Sequence, residues 1–235
     1  MTAHLPAATT EDVQPADHAA CTSPVLGEVG RALNDILPDG PRQQLASLIP
    51  DLPGTADDGH DEARTFMAVD WLVRTWLPTW LELSPSCRQD AAKIRELGKI
   101  VGPASAERAS GVVRDARDSA VVTWVATSDA DWDAARDAAR VAAGATVPWV
   151  DAVNLVARVA GPAGDAAWDA VGVAAGDAAR VAAAMAAARA AAGDAAWDAA
   201  WAHLQPAVTA VQESAIDLYG RMARIGGQAG LACDA

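Results

Sequence analysis

The chain has 235 residues, 51% of them hydrophobic, and a formal net charge of −13, which allows one substantial core and is short for two. An acidic chain lacks the basic face that neutralises phosphates, so a nucleic-acid partner is not expected, nor is an anionic membrane surface. A cationic or amine-bearing ligand suits the charge, and so does plain solubility.

Large apolar side chains are few: one Phe, one Tyr, four Met and nine Trp. Much of the hydrophobic share is alanine, which buries little surface per residue. Only two lysines (Lys93, Lys99) and two asparagines (Asn34, Asn154) occur, the skew that GC-rich codons give without any functional cause. No stretch approaches the ~20 apolar residues of a membrane span, and the first twenty residues lack the basic and apolar regions of a signal peptide. Cys21, Cys87 and Cys233 are odd in number and far apart, which predicts no disulfide framework and a cytoplasmic location.

Residues 1–22 show no periodicity and read as a disordered tail. A single all-α domain is expected over 23–228, with hydrophobic helices over 23–103 and alanine-rich helices over 104–228; 229–235 is a second disordered tail. The first helix starts at Ser23-Pro24 and places Val25, Leu26, Val29, Leu33, Ile36 and Leu37 on one face. A short second helix carries Leu45, Leu48 and Ile49 and ends at Pro50, before a polar loop broken by Pro53 and Gly54. From about Asp61 to Leu83 runs the most hydrophobic helix, with Val69, Leu72, Val73, Trp76, Trp80 and Leu83 in one stripe. Phe66, Met67, Trp71, Leu77 and Leu81 cover its other faces, as expected of a central helix, and Pro78 is expected to kink it. Another helix is predicted over Pro85 to Ile100, closed by Gly102-Pro103.

Beyond Ala104 a short pattern recurs three times, around Trp132-Asp133, Trp168-Asp169 and Trp197-Asp198, and DAARVAA occurs at 137–143 and 177–183. The unequal spacing predicts irregular helical repeats rather than a solenoid. The last helix is predicted over Ala207 to Ile225, with Val208, Val211, Ala215, Leu218 and Met222 facing inward and a stop at Gly226-Gly227. No segment alternates as a strand does. The fold class is therefore all-α, a helical bundle with Ala/Trp-rich irregular repeats in its C-terminal half.

Asp70 and Arg74 stand out as the only charges between Thr65 and Leu81. Four residues apart, they share a helix face, and in a buried segment each needs the other or a ligand. The bland alternative is an intrahelical ion pair. Asp57, Asp58, His60, Asp61, Glu62 and Arg64 make a dense polar run before them. It matches neither an EF-hand nor HExxH, so no metal is expected, and Asp58 or Asp61 reads as a helix cap. The Trp–Asp copies could bind a cation, though tryptophan at helical spacing is more often core; His203 likewise reads as a core histidine. Phosphate-loop, nucleophile-elbow and dinucleotide signatures are absent.

Two stretches, LPDGPRQQLASLIPDLPGTADDGHDEARTFMAVDWLVRTWLPTWLEL (37–83) and QESAIDLYGRMARIG (212–226), resemble an alanine-rich, all-helical actinobacterial family of mostly unassigned function. The family is similar to the aziridine-forming proteins of azinomycin-type antibiotic biosynthesis. The resemblance implies a cofactor-independent cyclase that closes a C–N bond in a small amine-bearing molecule, expelling sulfate or phosphate. A carboxylate would hold the ammonium and take its proton, and a cation would meet the departing anion. On these residues Asp70 takes the first role and Arg74 the second; Trp71 and Trp76 exclude water, and Asp61, Glu62 and Arg64 extend the substrate site. No metal or other cofactor is called for. The repeat half also resembles Ala/Trp-rich immunity proteins. The competing expectation is thus a non-catalytic protein that binds a protein partner or related subunit through those helices.

Overall fold

The computed structural model describes residues 21–126, 173–191 and 196–226, and among these residues there are helices and no strand. The all-α class is what the sequence predicts. The Trp132 and Trp168 copies of the repeat and the first DAARVAA copy lie outside the described residues, as do the residues 1–20 and 227–235.

Helix α1 (Pro24–Ile36) begins as Ser23-Pro24 implies: Ser23 Oγ accepts the Leu26 N–H and Pro24 occupies the first turn. Val25, Leu26, Val29, Leu33 and Leu37 are buried. The short α2 (Asp39–Gln43) passes into a 3-10 helix, Gln44–Asp51, that runs through Pro50 rather than ending before it.

The central element is a composite. Helix α3 (Asp61–Trp71) continues as a π-helical segment, Leu72–Trp76, and then as α4 (Leu77–Leu81). The disturbance expected at Pro78 takes this form. Pro78 has no N–H to give the carbonyl one turn back, and just before it the Leu77 N–H bonds to Leu72 O, five residues back. Nine large apolar side chains of this element are buried (Phe66, Val69, Trp71, Leu72, Val73, Trp76, Leu77, Trp80 and Leu81), so the all-round apolar reading holds. The following helix is shorter than expected. A 3-10 turn over Pro85–Cys87 leads into α5 (Arg88–Arg95), which stops short of Ile100; the chain turns at Glu96 and bends at Leu97, before Gly98, a poor helix former.

The second half is built on alanine. In α6 (Pro103–Ala126), Ala106, Ala109, Val113, Ala116 and Ala120 form one buried stripe. Helix α7 (Val173–Ala191) buries Ala175, Ala178, Ala179, Ala182 and Ala183 and packs on α4, α6 and α8. Helix α8 (Ala196–Ala223) begins eleven residues earlier than the predicted Ala207 and runs through Pro206. Pro206 and Ala202 are both exposed, so water can serve the carbonyl that Pro206 leaves unpaired. Val208, Val211, Ala215, Leu218 and Met222 are all buried, as the period predicts. His203 is exposed, not core: the buried stripe passes through Ala200, Leu204 and Ala207, and residue 203 falls beside it.

Glycine permits one close helix contact. A Cβ on Gly30 of α1 would lie 2.5 Å from Tyr219 Oη of α8, so the hydroxyl sits almost against the α1 backbone. Cys21 is disulfide-bonded whereas Cys87 is free and buried, which corrects the expectation that the cysteines form no disulfide. Separation along the chain is no measure of distance in the fold. Cys21 O accepts the Gly54 and Ala56 N–H groups and Thr22 is buried, so these two residues pack with the domain rather than with the tail. No described helix is long and apolar enough to cross a membrane.

Candidate functional site

The α3–α4 element carries two polar groups, one at its start and one in its middle. At the start is Arg64, whose side chain is wholly buried. Its Nε donates to Met222 O at 3.1 Å, and Nη1 donates to Asp58 Oδ1 at 2.8 Å and Asp61 Oδ1 at 3.2 Å. Nη2 donates to Asp58 Oδ2 at 2.5 Å, and Thr55 O lies 3.5 Å from Nη1. Asp61 Oδ1 also accepts the Ser23 hydroxyl at 2.5 Å. One guanidinium therefore joins the entry to α1, the 51–60 loop, the first turn of α3 and the end of α8. Burial would push the Asp58 carboxyl up, but the Arg64 hydrogen bond, the His60 N–H and the Arg64 charge hold it below its ordinary 3.8.

Asp58 is not the helix cap. It accepts the His60 N–H at 2.9 Å, and His60 occupies the cap position without a side-chain bond. The turn needs left-handed backbone at Asp57 and Gly59 (φ 54° and 75°). Gly226, at φ 93°, passes so close to this loop that a Cβ would sit 2.6 Å from His60 Nε2. Glu62 is exposed on the outer face of α3. Among the described residues no three His, Cys, Asp or Glu side chains gather where they could hold a metal ion.

The second group is Asp70 and Arg74. Arg74 Nη1 lies 3.3 Å from Asp70 Oδ1, with side chains 31% and 18% exposed. The pair is thus half-buried, at the edge of the bundle rather than in its centre. Asp70 Oδ1 also accepts the Ile100 N–H at 2.8 Å, fastening the chain before α6 to the central helix. Both bonds fall on Oδ1, and among the described residues Oδ2 meets no donor. Arg74 Nε is buried without an acceptor. Arg74 lies in the π-helical segment, an irregularity frequent at functional sites.

Trp71 is held by its indole N–H, which donates to Ser214 Oγ of α8 at 3.0 Å. Trp76 is wholly buried beside Trp80, with ring centroids 6.4 Å apart and planes at 67°. The structure therefore brings Asp70 and Arg74 together. It places Asp61 and Arg64 in a separate group two turns earlier and leaves Glu62 outside both. Ser23, Ile100 and Ser214 complete these groups from 143 residues away or less, and no local pattern marks them. No known protein family, curated protein or solved structure matches the chain.

Proposed function

We propose that the protein binds a small amine-bearing molecule with an anionic group at the Asp70–Arg74 pair and promotes its intramolecular cyclisation. The observation that carries this reading is the buried Arg74 Nε without an acceptor. A buried donor left unpaired costs about 1–3 kcal/mol, and an anion seated against the guanidinium would satisfy it. Asp70 Oδ2 lies on the same helix face and suits an ammonium, which only donates.

The chemistry balances without a cofactor. Asp70 takes one proton from the ammonium, and the freed nitrogen lone pair attacks the neighbouring carbon. The bond from that carbon to the sulfate or phosphate oxygen breaks, and its electron pair leaves with the anion beside Arg74. The aziridinium product gives its extra proton to solvent. Holding amine and leaving group in attack geometry supplies much of the acceleration. Arg64 does not extend this site on our reading, because its donors are already shared among Asp58, Asp61 and Met222.

Turnover of 2-aminoalkyl sulfates, followed by sulfate release, tests the proposal. Asp70→Asn and Arg74→Met are expected to lower the rate at least a hundredfold while the circular dichroism of the folded chain is kept. Full turnover in either folded variant would remove that residue from the mechanism. The competing reading, a partner bound through the Ala/Trp-rich repeat helices, falls mostly outside the described residues.

A further inference from the structure

A different pair of groups on the same element points inward. Trp76 and Trp80 are both wholly buried, and among the described residues the indole N–H of each has no hydrogen-bond partner. Four residues apart, they share one helix face; Arg74, two residues before Trp76, lies roughly half a turn round the helix. The indoles therefore belong to the interior and not to the Asp70–Arg74 pair. Their ring centroids stand 6.4 Å apart with planes at 67°, an edge-to-face arrangement.

The indole N–H only donates. Their fully buried neighbours along the helix, Leu72, Val73, Leu77 and Leu81, are apolar. An amine would have no acceptor there, and an anion would have no compensating cation in an apolar interior. The group that fits two such donors is an uncharged oxygen with two lone pairs. A contact beside Trp80 is also one that costs little to part. Helix α4, which carries Trp80, packs against α7, and the buried face of α7 is a run of alanines from Ala175 to Ala183. Methyl groups bury far less apolar area than leucines would.

We propose that Trp76 and Trp80 form an interior receptor for the carbonyl oxygen of an uncharged, largely apolar small molecule, reached by separation of α7 from α4. The site is independent of the Asp70–Arg74 pair and needs no reaction there.

Titration of the full chain, labelled with nitrogen-15, against cyclohexanone tests this, with methylcyclohexane as the matched hydrocarbon. The Trp76 and Trp80 indole N–H resonances are assigned from the intact chain by triple-resonance spectra and checked by their loss in Trp76→Phe and Trp80→Phe. The expected result is a saturable downfield shift of both resonances with cyclohexanone and none of comparable size with the hydrocarbon. Each Phe variant that folds should bind cyclohexanone about fivefold more weakly, the share of one hydrogen bond. Equal shifts with both probes, or none up to the solubility limit, would overturn the proposal. So would resonances already in the hydrogen-bonded range before any probe is added, the sign of an internal water, or shifted upfield, the sign of an N–H resting on a ring. The wild-type titration decides even if neither variant folds.

Discussion

Replacing Arg64 by methionine is expected to destabilise the protein by about 3 kcal/mol. Breaking a buried ion pair by removing one partner costs roughly 3–5 kcal/mol, because the other charge is left without compensation. Here the abandoned groups are the Asp58 and Asp61 carboxylates, 20% and 34% exposed, and the Met222 carbonyl. Partial access of water to the carboxylates puts the cost at the lower end of that range. For a domain of this size 1 kcal/mol corresponds to about 2–4 °C, so the midpoint should fall by roughly 6–12 °C. Urea and thermal unfolding followed by circular dichroism measure it. Arg64→Lys keeps the charge but not the fork that grips Asp58 with two nitrogens, and should recover only part of the loss. A change below about 1 kcal/mol for Arg64→Met would refute the claim that this guanidinium clamps the termini of the helices together.

Three further outcomes are expected. Because Asp58 is held below its ordinary 3.8, its ionised form stabilises the fold above that value, and the contribution is lost as pH falls through the lowered one. Urea unfolding between about pH 2 and pH 6 should show this loss in the wild type and a flatter profile in Asp58→Asn. Gly30→Ala should cost about 1–3 kcal/mol by overpacking, since its Cβ would meet Tyr219 Oη at 2.5 Å; Tyr219→Phe should relieve part of that cost in a double-mutant cycle, and additivity would show the contact to be slack. Gly226→Ala should destabilise by about 1–2 kcal/mol from its φ of 93°, a loss that His60→Ala, which removes the facing ring, does not fully restore in thermal melts.

What the sequence revealed was what local periodicity can carry. The stripes of α1 and α8 and the all-round apolar face from Phe66 to Leu81 follow from the 3.6-residue turn, and each is buried as expected. Boundaries were legible only where a local signal was decisive. Ser23-Pro24 marked a start. The helix predicted from Ala207 starts earlier because solvent exposure lets it run through Pro206, and the stop after Arg95 comes from a turn at Glu96 that a helical pattern through Ile100 concealed. Asp70 and Arg74 could be singled out because charge is rare in that segment. That Asp70 would also bind the Ile100 N–H, thirty residues on, could not be. Arg64 was visible as a charge in a polar run, but its complete burial depends on Met222 from the far end of the chain.

The central claim is that the Asp70–Arg74 pair holds a small amine-bearing molecule. It is tested most directly by native mass spectrometry of wild-type and Arg74→Met protein, each captured from the host's own lysate. The account predicts a bound species of a few hundred daltons on the wild type that is lost or sharply reduced on the folded variant. No bound species on the wild type, or equal occupancy of both proteins, would contradict it.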